Sequence, residues 1–504
     1  MKLIISIVNL GHCENLMSAA RTAGARGGTI INARGTGKSG GLFSMWLPPT
    51  DQDACEVVEW LAAQPWCDGN VGMFGVSYFA RSQKFIAATN PPHLKCIFAP
   101  WAASDAYRDS EYRGGILAYR MRRNWALTEL SNPRPEGYCR TYWDKEQYEA
   151  ALKAAMQDPE ILAEPDLANA LKNPDQGSNP LLVDLALNPL NSPYWDEKRV
   201  DYDKITIPAY VGSCWGHLQH LPGAFRAWER LKGPKKMILA PPAYLDRPVY
   251  QLQYESIRWF DYWMKGIENG IMDEAPVKLW INGTREYKET SDWPLPETKW
   301  TPFYLHENGL MDEHEYRIYE GSTSYEDSPW SRGKAAFYTP ILVEDTEVVG
   351  PICLTLYASA TETDILFFAS LWDVDKDGNE KILTRGWLRG SHRELDETLS
   401  KPWKPVHPHT SEEKLVPGEI YEFKIEILPT GTFFPAGHRI RLQISGCDDK
   451  PNHSMEGLGV GNIRGQKGNR VTIFHNEDHP SNLLLPITKG NVLGTFRSGG
   501  RPYL

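Results

Sequence analysis

The chain lacks the features that mark a membrane protein, a nucleic-acid binder or a metal centre. None of its stretches approaches the ~20 uncharged apolar residues that a membrane span needs. The most apolar early run, Leu3 to Val8, is too short for the core of a secretory signal, and no small-residue cleavage site follows it, so no targeting segment is expected. Basic residues number 54 against 64 acidic ones, a formal charge of −10, with no basic block able to track a phosphate backbone. Nucleic acid is therefore not an expected partner, and neither is a membrane. Eight cysteines, Cys13, Cys55, Cys67, Cys96, Cys139, Cys214, Cys353 and Cys447, are scattered without a C-x-x-C pair. Neither a zinc knuckle nor a disulfide framework is expected, and the thiols read as buried groups in a reducing, cytoplasmic compartment. Without ligand-spaced Cys/His clusters or a complete phosphate loop, no metal, nucleotide or flavin is expected. What remains is a globular composition, 41% hydrophobic and 23% charged, which excludes a disordered tail. The 504 residues supply chain for about three domains.

The order of patterns gives the plan. TIINAR, NVGMFGV and LKCIFAPWA are short apolar runs, separated by the helical stretches DACEVVEWLAAQ and FARSQKFIAAT. That alternation predicts a parallel sheet buried on both faces. The rhythm returns with IPAYVGS, a helix around PGAFRAWERL, KKMILAP and an amphipathic helix that stops near Gly266. Between the two halves lie helical stretches such as WDKEQYEAALKAAMQ, broken by Pro and Asn, which predict a helical cap. After about residue 300 the period changes to two, in ICLTLYAS, ILFFASLWDV, YEFKIEIL and RIRLQIS, predicting an all-β domain of sandwich or jelly-roll type. The expected division is 1–112 and 201–299 for the α/β core, 113–200 for the cap and 300–504 for the β-domain.

The strongest chemical signal is Gly75-Val76-Ser77, placed between a predicted strand and a predicted helix. A serine on so tight a turn is pushed clear of the sheet, and the next backbone N–H, that of Tyr78, faces a developing oxyanion at a helix N-terminus. The second glycine of the G-x-S-x-G pattern is replaced by Phe79. The plainer reading makes Ser77 a helix N-cap. With this motif, ARGTGKSGG (33–41), WLAAQPWCDGNVGMFGVSYFARSQ (60–83), RWFDYWMKGIENGIMDEAPVKLWING (258–283), SDWPLP (291–296) and FFPAGHRIRLQIS (433–445) resemble the cocaine-esterase and X-prolyl dipeptidyl-peptidase hydrolases. That resemblance covers about residues 25–504 and implies an α/β-hydrolase sheet with a helical cap and a C-terminal jelly roll. It also implies Ser77 as the acyl-accepting nucleophile, with an ester or amide as substrate. Homo-oligomerisation is a further expectation from hydrolases of this design. Residues 1–37 resemble instead the opening βαβ of trimeric nitrogen-regulatory signalling proteins.

In the family the serine is followed by an Asp turn and then a His turn. The corresponding turns here read GSCWGHLQH and APPAYLDRP, so His217 stands at the acid position and Tyr244 at the base position. A serine hydroxyl still needs a base. No histidine occurs between His220 and His306, and His93 is expected at the far end of the sheet. Elimination leaves His217 first and His220 second, with Asp246 as the orienting carboxylate, because adjacent parallel strands lie about 4.8 Å apart. The alternatives are that His217 packs beside Trp215 and that Asp246 pairs with Arg247 or caps a turn. The leading expectation is a serine acyl hydrolase for a small ester or amide. The competing one is a catalytically silent pseudo-hydrolase that binds a ligand or partner in the same cleft.

Three further strings read as structural. Gly35-Thr36-Gly37-Lys38-Ser39 resembles the end of a phosphate loop, but Asn32 replaces its first glycine. His407 and His409 in KPVHPHT are expected in a solvated loop, and VDKDGN (374–379) is expected to be a hairpin turn.

Overall fold

The computed structural model describes residues 3–6, 34–35, 39–41, 48–128, 137–241, 252–315, 321–331, 333–449 and 461–490. Among the described residues the first layer is a seven-stranded sheet; the predicted strand TIINAR lies outside them apart from Arg34. The sheet runs β1 (Leu3–Ser6), β2 (Val71–Phe74), β3 (Leu94–Pro100), β4 (Ala209–Cys214), β5 (Lys235–Ala240), β6 (Val277–Ile281) and β7 (Glu286–Thr290) in spatial as well as chain order. All pairings are parallel except β6 with β7. The central strands are near-continuous apolar runs because both faces are covered. Ile97 and Ala99 point into the larger core cluster, and Cys96 and Phe98 into the smaller one.

Helices α1 (Pro48–Ala62), α2 (Tyr78–Ala88) and α3 (Leu221–Arg230) contribute to the larger cluster, and α4 (Gln253–Lys265) to the smaller. Helix α4 lies close enough that a Cβ at Gly72 would stand 2.9 Å from Phe260, so glycine at this point of β2 permits the packing. The helix ends at Gly266 in the left-handed region (φ 68°), a conformation glycine adopts without a Cβ penalty. Strand β3 pairs directly with β4, Ile97 opposite Ala209, so the long insertion between them leaves the sheet unbroken. Among the described residues that insertion carries a π-turn (Ala106–Glu111), a hairpin of Tyr112–Arg113 with Ile116–Leu117, and seven short helices from Tyr119–Thr128 to Pro193–Asp196. Aspartates set several of its helix starts: Asp144 accepts from the Gln147 N–H and Asp158 from those of Glu160 and Ile161.

From residue 299 onward the described chain is β-rich, as expected, but the pairing is barrel-like where a sandwich or jelly roll was anticipated. The strands are β8 (Lys299–His306), β9 (Leu310–Asp312), β10 (Ser322–Asp327), β11 (Lys334–Tyr338), β12 (Thr346–Ala360), β13 (Leu366–Val374), β14 (Glu380–Arg389), β15 (Tyr421–Phe434), β16 (Arg439–Ser445), β17 (Asn469–Asn476), β18 (His479–Pro480) and β19 (Asn482–Lys489). Strand β12 is 15 residues long, so one of its edges pairs β15 while the other is shared by β17 and β19. Because β19 also pairs β8, the ring closes and hides edges that would otherwise be exposed. The VDKDGN string is the turn between β13 and β14, where Asp375 accepts from the backbone N–H groups of Asp377 and Asn379.

His407 and His409 are buried rather than solvated. The two ring nitrogens of His407 lie 2.8 Å from the carbonyl oxygens of Glu394 and Lys424, and His409 Nδ1 lies 3.0 Å from His392 Nδ1. Their loop is pressed onto the insertion, where Arg108 and Asn191 donate to its carbonyls, so the prolines shape a docked strap. Among the described residues no group of three or more His, Cys, Asp or Glu is placed to hold a metal, and no helix is long and apolar enough to cross a membrane. At the phosphate-loop-like string, the Arg34 fork grips Asp53 and the Gly35 N–H bonds the Gly40 carbonyl, a structural turn. Lys38 lies outside the described residues.

Candidate active site

Strand β2 ends at Phe74, and three residues carry the chain into α2. A Cβ at Gly75 would lie 2.8 Å from Cβ of Phe79 and 3.3 Å from the Gln83 amide nitrogen, so this position requires glycine. Ser77 sits at φ 60°, ψ −123°, a backbone conformation that costs a non-glycine residue of order 1–3 kcal/mol and recurs at functional sites. The turn is held from both sides. The Ser77 N–H donates to the Trp101 carbonyl at 2.8 Å, and the Ser77 carbonyl accepts from Arg81 N–H at 2.9 Å. The hydroxyl makes no capping bond, so the N-cap reading does not describe it. Tyr78 opens α2, which puts its backbone N–H at the positive end of the helix dipole.

The loop leaving β4 brings the imidazoles. It turns at Gly216 (φ 77°), and the His217 carbonyl accepts from the His220 and Leu221 N–H groups. His220 is the N-cap residue of α3, and its Nε2 lies 3.3 Å from Ser77 Oγ. His217, the residue placed first by elimination, is one ring further back. It stacks on His220 with centroids 4.2 Å apart and planes 20° from parallel, and its Nδ1 accepts the His220 backbone N–H at 3.4 Å. That bond fixes the His217 proton on Nε2, and an acceptor Nε2 on His220 requires its proton on Nδ1. Both rings are buried. Burial, before any neighbouring charge, pushes His217 down to about 3 and His220 well below the usual imidazole range, so both are neutral near pH 7.

Trp215 does not pack against His217. It points toward the β-domain, stacking with Phe225, donating to the Trp280 carbonyl and pressing on Gly431, where a Cβ would stand 2.5 Å from its ring. His220 Nδ1 and His217 Nε2 have no hydrogen-bond partner among the described residues. Asp246 and Tyr244 fall outside those residues. Strand β5 ends at Ala240 in register with Cys214, so the chain leaves the sheet there beside the turn that carries both imidazoles. A cleft of about 610 Å³, open mouth included, adjoins this turn at Leu218 and Pro222. Arg113 and Trp387 face it from the two domains, while Ser77 does not line it.

A half-buried serine on a strained strand-to-helix turn, facing a buried imidazole over a parallel sheet, is the arrangement of an α/β-hydrolase. The sequence model of the X-Pro dipeptidyl-peptidase (S15 family) matches residues 28–244, and that of the X-Pro dipeptidyl-peptidase C-terminal non-catalytic domain matches residues 269–483. The chain belongs to the cocaine-esterase and X-Pro dipeptidyl-peptidase family. It is a serine hydrolase by that membership. The cocaine esterase of Rhodococcus is 27% identical over 91% of this chain and 88% of its own length. A CocE/NonD family hydrolase from Staphylococcus aureus superposes with a TM-score of 0.75 at 27% identity, covering 91% of this chain and 78% of that one. An α-amino acid ester hydrolase shares the fold, with a TM-score of 0.70 at 16% identity over 90% of this chain and 84% of that one. The family turn placed His217 at the acid position, and elimination then ranked it first and His220 second as the base. The closer imidazole, His220, lies three residues on, and the signal that could have found it is its place at the first position before a helix.

Proposed function

We propose that the chain is a serine acyl hydrolase that cleaves a small ester or amide through an acyl-enzyme on Ser77. The observation that carries this reading is the Ser77 hydroxyl, uncommitted to capping and 3.3 Å from Nε2 of a neutral, buried His220. Such contacts are commonly long without substrate and tighten in the reacting complex. Ser77 Oγ attacks the acyl carbon while its proton passes to His220 Nε2, and the carbonyl oxygen becomes an oxyanion that the Tyr78 N–H and the start of α2 stabilise. The imidazolium returns that proton to the leaving alcohol or amine. Water then repeats the sequence on the acyl-enzyme.

His217 backs the base by stacking on it, and Asp246 is its orienting carboxylate. Support for Asp246 is its place in the sequence six residues after β5, whose end at Ala240 is in register with Cys214, together with a His220 Nδ1 that has no partner among the described residues. Relatives named for ester and X-Pro peptide cleavage support the range of acyl groups, and no observation favours the silent pseudo-hydrolase. Labelling with an activated fluorophosphonate tests the reading: the parent chain becomes covalently modified and Ser77→Ala does not. Absence of Ser77-dependent modification overturns it.

A further inference from the structure

Helix α2 carries a lysine seven residues after the elbow serine. Seven residues are close to two helical turns, so Lys84 lies about two turns along α2 from Ser77. Its side chain is 1% exposed, a placement lysine rarely takes unless paired, because a buried ammonium loses its hydration. No carboxylate bonds it among the described residues. Its one hydrogen bond there runs to the carbonyl of Ala102, at 3.5 Å.

Three parts of the site meet at the Trp101–Ala102 pair. Trp101, the preceding residue, holds the Ser77 N–H through its own carbonyl. From the opposite side the first turn of α3 rests on Ala102: a Cβ at Gly223 would collide with the Ala102 oxygen, and His220 caps the same helix three residues earlier. Lys84 therefore ties the helix that presents the nucleophile to the point on which the base-bearing helix is seated. An apolar side chain would fill the volume without making that tie.

The charges around Lys84 are few. Asp109, on the π-turn, favours the ammonium from a distance but is already held by the Arg226 guanidinium at 2.9 Å and by the N–H groups of Ser104 and Asp105. Arg81, on the same helix, opposes the ammonium, and the Tyr202 ring lies 5.8 Å from Nζ. His220 feels the amine in turn: after burial and His217, the nearby Lys84 charge lowers its proton affinity, with Arg113 acting the same way.

We propose that Lys84 is a positioning residue of this acyl-transfer site, a buried amine that ties the Ser77 helix to the His220 helix through Ala102 and that, by giving up its proton, relieves the charge opposing imidazolium formation on His220. The proposal rests on the reading of Ser77 and His220 as nucleophile and base. Acylation moves one proton from Ser77 Oγ to His220 Nε2. If Lys84 is an ammonium, that step creates a second cation beside it in a dry site. If Lys84 has first released its proton to solvent, the imidazolium forms beside a neutral amine. Desolvation brings the Lys84 pKa down to about 7, so the change falls in the neutral range, well above the titration of His220 itself.

The test is the rate of fluorophosphonate labelling of the full chain across about pH 5 to 9, on the parent, Lys84→Met and Lys84→Arg, with Ser77→Ala as the blank. Turnover of a nitrophenyl ester serves as a second readout. The parent rate rises as pH passes through about 7. Lys84→Met loses that rise and labels roughly 10–100-fold more slowly at pH 8, the scale expected when a reacting pair is misplaced. The loss appears in kcat and leaves KM nearly unchanged. Lys84→Arg keeps a cation that does not deprotonate, so its rate stays low without a rise. A folded Lys84→Met whose pH profile superimposes on the parent overturns the proposal and leaves the Ser77 and His220 reading standing, as does a loss confined to KM. A parent profile with no rise around pH 7 overturns it even if neither variant folds. A parent chain with no Ser77-dependent labelling overturns the site reading and this proposal together.

Discussion

His220→Ala and His217→Phe separate the two imidazoles. Removing a positioned general base lowers turnover by roughly 10²–10⁴-fold, so His220→Ala falls by that amount while the protein stays folded. Phenylalanine at 217 keeps an aromatic ring stacked 4.2 Å from His220 and removes only the acceptor of one backbone N–H, itself a long contact of 3.4 Å. A net hydrogen bond of about 1 kcal/mol, even if expressed wholly in the transition state, corresponds to less than tenfold. The expected order is therefore parent, His217→Phe within about tenfold, and His220→Ala two or more decades lower. The assay is kcat and kcat/KM on an activated ester, with the fluorophosphonate rate as an independent readout of Ser77. Because burial pushes both imidazoles down, their own protonation adds a limb below the ~6.5 of a free imidazole, beneath the rise near pH 7 that Lys84 sets. A folded His217→Phe as slow as His220→Ala would move the base to His217. Unchanged turnover in His220→Ala would remove His220 from the mechanism.

Four other outcomes follow from the same geometry. Acid should destabilise the chain through His217: the unfolded imidazole binds a proton below about 6.5 while the folded one waits until about 3, so stability falls with falling pH between these values by about 1.4 kcal/mol per unit. Urea midpoints at pH 7 and 5 measure this, and His217→Phe should flatten the difference by about 2 kcal/mol; an unchanged pH dependence would show that the buried ring is not its source. Gly75→Ala places a Cβ against Phe79 and should cost about 1–3 kcal/mol with a disproportionate loss of Ser77 labelling, read by thermal melting beside the labelling rate. Gly431→Ala, in the β-domain, should slow turnover by driving Trp215 and its loop out of place, an effect absent if the two domains function independently. Asp246→Asn should lower kcat without preventing Ser77 labelling by a strongly activated probe, and an unaltered kcat would exclude it as the orienting carboxylate.

The described parallel strands were legible because burial on both faces leaves an apolar run with no polar alternation, and α2 because Gly75-Val76-Ser77 falls where such a run gives way to period 3.6. The end of α4 at Gly266 was legible for a local reason, the left-handed φ that only glycine takes cheaply. Closure of the β-domain was not, since it depends on one long strand accepting two partners on one edge, and strand patterns carry no record of their neighbours. His407 and His409 misled for a related reason: a proline-rich loop reads as solvent-facing until the surface it docks on is known. The order of His217 and His220 was not legible in the sequence, because it depends on how the loop turns after Gly216, and the ring nitrogen 3.3 Å from Ser77 Oγ belongs to His220.

That bend is also where the two domains cooperate. Trp215 precedes Gly216 and is fixed by contacts that reach into the β-domain, against Gly431 and beside the Trp280 carbonyl, while the Asn282 N–H bonds the Gly431 carbonyl at 2.9 Å and the Phe433 N–H bonds the Asn282 carbonyl at 2.8 Å. The same strand of the β-domain thus braces the end of β6 and the residue from which the imidazole loop departs. The C-terminal domain, matched by a model described as non-catalytic, therefore packs against the residue from which the His217–His220 turn departs. Under the proposed function, a base that must sit within about 3 Å of a serine oxygen tolerates little error in its placement. Bracing the loop at Trp215 from outside the sheet leaves the 216–220 turn free to be shaped by the chemistry it carries.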